Sequence, residues 1–309
     1  MKPRPILIVG EALMDVVTTD QGTTSHPGGS PANVAVGLAR LEVGASLLTQ
    51  LGGDKDGETI RRHLESEGVR LLEVGEPSCH RTSTATATLN ADGSAKYAFD
   101  IEWSLPPQPL PEQFEIIHSG SIAAFLPPGA SAVRAMFEQN RGISLLSFDP
   151  NIRPQLLPDH ACALEQFESM SRIVDIIKLS DEDAAWLYPY RSEDFIADAL
   201  HEQGVKLVIV TRGKHGAMLS TSAHYCLVPA TSETVVDTIG AGDSYMAAIL
   251  QGVYELGHLP NTMQELESIG KIAARAAGIT VSRAGSQPPT LKELFNPKGT
   301  RGQNPSPAY

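Results

Sequence analysis

Six short apolar runs limit what this chain can fold into: PILIVG, SLLTQLG, FEIIHSGS, ISLLSFDPN, IIKLS and KLVIVTRG. Each is nearly continuous rather than alternating, as suits a strand buried on both faces of a parallel sheet. Between them lie stretches with helical spacing, such as GETIRRHLESEGV, ending at Gly68, and SAVRAMFEQNRG, ending at Gly142. Glycine in those places suits a left-handed helix C-cap. Strand and helix in alternation predict an α/β fold with helices on both faces of a mostly parallel central sheet. Ligands of such sheets sit beyond the carboxyl ends of the strands. Most of the polar motifs here follow directly on the apolar runs. No internal repeat or linker splits the chain, so residues 1–309 read as one domain with ample core.

One region departs from this pattern. TSTATATLNADGSAKYAFDIEW, residues 82–103, alternates with period two, and Asp92-Gly93 lies between its halves as a hairpin signal. MDVVTTDQGTTSHPGG is two-sided in the same way. Both predict a small antiparallel sheet outside the main layer, from about 12–28 and 82–104. It is either a lid or an ordinary surface hairpin. The segment 295–309, mostly Pro, Gly and polar residues, is expected to be loose.

Lys and Arg number 24 against 36 acids, a net charge of −12. That argues against a nucleic-acid or anionic-membrane binder, both of which need a basic face. It leaves open an anionic small substrate, which needs only local positive charge or magnesium. No segment reaches the roughly 18 apolar residues of a membrane span. Cys79, Cys162 and Cys226 are scattered, without CxxC. Reduced thiols in the cytoplasm fit better than a disulfide frame or zinc site.

The chemistry is most concentrated in DTIGAGDSYMAAIL, residues 237–250. Gly240, Ala241 and Gly242 carry almost no side chain, and a helical run follows. Their N–H groups would lie at a helix N-terminus, an anion hole. A carboxylate at Asp243 would repel a bare phosphate. It suits phosphoryl transfer to a hydroxyl, because the attacking hydroxyl must give up a proton. Alternatively, Asp243 merely favours the first turn of its helix. Upstream, GGSPANVAVGLARL, residues 28–41, offers two glycines for close backbone approach, Ser30 as N-cap and Pro31 as first helical residue. Asn33 then falls in the first turn, with donor and acceptor for a polyol. Asp15 follows the first strand and is placed to accept sugar hydroxyl protons. In SFDPNIRP, Arg153 suits either a substrate or phosphate contact, or a salt bridge to Asp149.

Taken together, DTIGAGD and GGSPANVAVGLARL resemble the two signatures of the ribokinase-like, PfkB-type sugar kinases, in the right order and over about residues 5–292. The resemblance implies a three-layer α/β/α fold with a β lid, and transfer of the ATP γ-phosphate to a sugar hydroxyl. It assigns Asp243 as base, Gly240, Ala241 and Gly242 as the anion hole, and Asp15, Gly28, Gly29 and Asn33 to the sugar. Ser121, in HSGSIA, is a further substrate candidate beside Arg153. Lys178, Thr211, Gly213 and Gly216 fall to the nucleotide. The family's Asn-x-x-Glu motif for magnesium reads Ser180 and Asp183 here, which leaves Asp183 for water-mediated Mg2+ contact. Asp237, the Ile239 carbonyl and Gly285 are candidates for K+. GEALMD, GGSPAN, DPNIR and GAGDS resemble the fructokinase branch. The other readings, in order, are a 2-keto-3-deoxygluconate kinase, a ribokinase or nucleoside kinase, and a sugar- or nucleotide-sensing protein without turnover. The keto acid would need a cation in its pocket, which Arg153 could supply; the lid segment 82–103 carries Lys96 but no arginine. A homodimer through the lid is also implied.

Overall fold

A computed structural model describes residues 4–19, 22–76, 80–89, 95–106, 108–157, 159–231 and 234–295. The chain opens with β1 (Ile6–Val9), β2 (Leu13–Thr19), β3 (Gly22–Gly28), α1 (Ser30–Arg40), β4 (Ala45–Thr49), α2 (Lys55–Ser66) and β5 (Arg70–Glu73). It continues through β6 (Thr84–Leu89), β7 (Ala95–Asp100), β8 (Ile116–Gly120), α3 (Gly129–Asn140), β9 (Leu145–Asp149), α4 (His160–Ser171) and β10 (Ile176–Ser180). Then follow α5 (Asp181–Leu187), α6 (Glu193–Glu202), β11 (Leu207–Thr211), β12 (Ala217–Ser220), β13 (Tyr225–Val228), α7 (Ala241–Leu256), α8 (Met263–Val281) and α9 (Leu291–Phe295).

All six apolar runs become strands of one sheet. Its order is β13-β12-β11-β10-β9-β8-β1-β4-β5. From β11 to β5 neighbours run parallel, while β12 and β13 form an antiparallel edge. The continuous hydrophobicity of the runs has a direct cause: successive residues alternate between two cores. Ile6 and Ile8 point into the layer of α1, α2, α7 and α8, and Leu7 and Val9 into that of α3, α4, α5 and α6. Strand order reverses at β1, which lies between β4 and β8. The carboxyl ends of β1, β8, β9 and β10 surround that switch point, where a ligand crevice is expected.

The small sheet has the order β3-β2-β6-β7. It is mixed, which corrects the expectation of a wholly antiparallel one. β2–β3 and β6–β7 are antiparallel pairs, whereas β2 and β6 run parallel. Parallel neighbours need a long crossover, and the excursion through α1, β4, α2 and β5 supplies it. Asp92 and Gly93 and the tail from 296 lie outside the described residues. Gly68, at φ 84° just past α2, is the left-handed C-cap glycine expected there. Gly142 is not, because α3 ends at the extended Arg141 and Gly142, at φ 76°, is the third residue of a turn in which Ile143 N donates to Asn140 O at 3.0 Å.

Candidate active site

The switch point gathers charged groups from opposite ends of the chain. Asp243 sits in the first turn of α7, 8% exposed. The chain can enter that helix sharply because Gly240, its N-cap, is left-handed at φ 74°. A side chain there would collide with Ser286 Oγ. No side chain caps the start of α7; the Ala241 N–H donates to the Thr238 carbonyl at 3.3 Å, which leaves the Gly240 and Gly242 N–H groups and the positive helix end to face an anion. Below the turn lies Lys178 of β10, whose Nζ would be 3.6 Å from a methyl group placed on Gly242. Lys178 is buried and paired with Asp149 at 2.8 Å. Burial works against its charge, but the carboxylates of Asp149, Asp183 and Asp243 together outweigh it and hold the ammonium protonated above its usual range. A fixed positive charge thus underlies the uncapped turn.

The Asp243 carboxylate is itself held. Ser30 Oγ donates to Oδ1 at 2.6 Å and Asn33 Nδ2 to Oδ2 at 2.8 Å. Burial raises its pKa, opposed by those two bonds and by the charges of Lys178 and Arg153. Facing it across the crevice, Asp15 is pushed up to about 6 by burial and by the nearby Asp243 charge. Glu11, beyond β1, is 3% exposed and is pushed up to about 7, chiefly by burial. It accepts from the Ala123 N–H at 3.0 Å. Arg153 contributes positive charge to all three acids. Its loop is shaped by Asn151 at φ 38°, and Ser121 stands at φ 53°. Non-glycine residues in that region are uncommon and gather at functional sites.

The model of the pfkB family carbohydrate kinases matches residues 4–293. The chain belongs to that family. It is 31% identical to a fructokinase of Salmonella typhimurium over 91% of this chain and 94% of that one. Among solved structures, it is similar to a fructokinase double mutant of Vibrio cholerae O395 bound to fructose, ADP and potassium. The TM-score is 0.81 at 24% identity, covering 94% of this chain and 97% of that one. A ribokinase from Thermotoga maritima superposes with a TM-score of 0.75 at 20% identity, covering 94% and 98%. The kinase is thus a sugar phosphotransferase with a ribokinase-like fold.

The structure brings together Asp243, Gly240, Ala241, Gly242, Asn33, Asp15, Arg153, Ser121 and Lys178 around the switch point. Gly28 is packed so closely on Asp15 that a methyl group there would lie 1.9 Å from Oδ2. Asp237 ties the other expected cation ligands together: its oxygens accept from Ile239 N at 3.0 Å and Gly285 N at 2.8 Å. Thr211, Gly213 and Gly216 lie at the turn joining β11 to antiparallel β12, beside an open cleft of about 560 Å3 lined in part by Arg212 and His215.

Several local readings change. Ser30 does not cap α1; Gly29 is the N-cap, and the Ser30 hydroxyl goes to Asp243 instead. Arg153 does not bridge to Asp149, which has taken Lys178; its Nη1 donates to Asn151 Oδ1 at 2.7 Å. Asp183 spends both oxygens on backbone, accepting from Ile152 N at 2.8 Å and Ser180 N at 3.1 Å. With Ser180 it forms the capping box of α5. By contrast, Asp149 Oδ1 is buried without a hydrogen-bond partner. The sequence reading gave no role to Glu11, although an acid interrupting an apolar run was a visible signal.

Glu11 yields a pH test. Its ordinary value is 4.5 and its folded value about 7. Folding therefore favours the protonated form, and stability present below pH 4.5 is lost as pH rises toward 7. The full loss is on the order of 3 kcal/mol. Glu11→Gln keeps an acceptor and removes the titration. Its unfolding free energy from urea titrations should gain on wild type across this pH window; a gap independent of pH contradicts the assignment.

Proposed function

We propose that the kinase transfers the γ-phosphate of ATP to a hydroxyl of fructose, with Asp243 as general base. One observation carries this reading: a buried carboxylate, held by two donors, at an uncapped helix N-terminus above a buried ammonium. The repulsion between carboxylate and phosphate is relieved because the acceptor hydroxyl lies between them. Asp243 orients that hydroxyl and takes its proton. The amides of Gly240 and Gly242, on either side of the Thr238-bonded Ala241 amide, and the Lys178 ammonium stabilise charge on the transferred group. Asp15, the free oxygen of the Asn33 amide and Arg153 bind the other sugar groups, and Glu11 holds the turn carrying Ser121. The Thr211–Gly216 turn receives the nucleotide.

Magnesium fits this donor set at Asp149, whose buried Oδ1 lacks a partner and would hold the ion through waters, while Asp183 keeps its oxygens on the Ile152 and Ser180 amides beside it. When bound, the ion supplies charge neutralisation to the phosphates. Potassium would lie where Asp237 joins the Ile239 and Gly285 segments, and the Vibrio cholerae fructokinase is a potassium complex. The Arg153 charge beside the sugar pocket favours one second reading, a keto acid such as 2-keto-3-deoxygluconate, whose carboxylate it would pair.

We infer also that the kinase is cytoplasmic, in keeping with the free thiols of Cys162 and Cys226. Among the described residues no helix is long and apolar enough to cross a membrane. The small sheet serves as lid and, through its open edges β3 and β7, as dimer contact. Light scattering at micromolar concentration should give twice the chain mass; a monomer refutes the pairing.

A coupled ADP-release assay over fructose, 2-keto-3-deoxygluconate and ribose should show the highest kcat/KM on fructose. Turnover on the keto acid alone moves the assignment to the second reading. Asp243→Asn should still bind Mg-ATP but lose roughly two to four decades of rate. For wild type, kcat/KM should fall as pH drops through the raised pKa of Asp243, because the base must be ionised. Near wild-type turnover by Asp243→Asn refutes its role.

A further inference from the structure

Ser30 is a serine at a helix start that does not do what such serines usually do. Its own helix leaves the hydroxyl unused, since Gly29 is the N-cap and no side chain caps α1. The hydroxyl donates instead to the Asp243 carboxylate, at 2.6 Å, the length expected of a charge-assisted O–H···O⁻ bond. Asn33 stands three residues on, on the same helix face, and takes the other oxygen. The two helices cannot drift apart or slide easily: a methyl group on Gly37 of α1 would fall 2.6 Å from the Ala247 Cβ of α7. Pro31, Ala32, Val34 and Ala35 are buried around this contact.

We propose that Ser30 is a positioning residue for phosphoryl transfer: through its bond to Oδ1 it orients the Asp243 carboxylate and favours its ionised form. This rests on the reading of Asp243 as the base. The two donors then divide the work. Asn33 retains a carbonyl for the sugar, so its loss weakens sugar binding as well. Ser30 acts on the base alone, so its loss appears in kcat and in the pH dependence. The charges facing Asp243 set the balance in which this donor counts. Lys178 of β10 and Arg153 after β9 favour the carboxylate. Asp15 of β2 and Asp149 of β9 oppose it, as does burial. A hydrogen bond to the ionised form lowers a pKa. Removing it raises that pKa and moves the acid limb of the rate profile to higher pH.

The test is the pH dependence of kcat for wild type, Ser30→Ala and Ser30→Thr, as full chains with Mg-ATP and the sugar giving highest turnover. Asp243→Asn is measured in parallel. Ser30→Ala should move the acid limb up by about one pH unit, the size expected for one donor to a charged group. Its KM for ATP should stay within about twofold, as for a group that does not touch the nucleotide. Ser30→Thr, which keeps a hydroxyl, should return the limb to the wild-type position. An inactive Asp243→Asn beside an unmoved limb in Ser30→Ala overturns this inference alone. An active Asp243→Asn overturns the base assignment and this inference with it.

Discussion

The carboxylate of Asp243 is the point on which the site depends, because its bonds to Ser30 and Asn33, 213 and 210 residues away along the chain, join two helix starts. A buried carboxylate is costly unless its oxygens are bonded. Here both are, by donors from α1. The same contact brings the sugar-facing turn of α1 against the phosphate-facing turn of α7. Parallel strand order makes this possible: α1 follows the first excursion from β1, α7 follows the antiparallel edge, and both pack on one face of the sheet.

The electrostatics follow from that meeting. Glu11, Asp15 and Asp243 crowd one crevice, and burial raises the pKa of each. Lys178 and Arg153 are the cations that offset them, and they are differently placed. Lys178 is locked to Asp149 beneath the anion turn. Arg153 is tied to its own loop at Asn151. An acidic protein can therefore still receive an anionic phosphate, because positive charge and helix N–H groups are concentrated at one point. A base of raised pKa also suits its task, since it accepts a proton near neutrality more readily than a solvated carboxylate would.

Much of this was legible in the residues. Continuous apolar runs marked the buried strands, since each strand serves two cores. The GAG turn marked a helix start with bare amides, and Asp243 followed as the group that would conflict with phosphate unless a hydroxyl intervened. What could not be read was the pairing of side chains across long separations. Ser30 looked like a cap, because local spacing cannot show that its partner lies on α7. Arg153 looked available to Asp149, because sequence cannot show that Lys178 on the neighbouring strand reaches it first. Asp183 looked free for metal, yet the capping box with Ser180 and the Ile152 amide use both its oxygens. The mixed pairing of the small sheet escaped for the same reason: parallel neighbours depend on where a crossover returns.

The central claim is that the acceptor hydroxyl lies between Asp243 and the transferred phosphate. A crystal structure with fructose, magnesium and a non-hydrolysable ATP analogue tests it most directly. A sugar hydroxyl should lie within about 2.6–3.2 Å of an Asp243 oxygen, the reach required of a general base, with its oxygen directed at the γ-phosphorus. A sugar bound elsewhere, or an Asp243 carboxylate that contacts only Ser30 and Asn33 while both ligands are present, would contradict it.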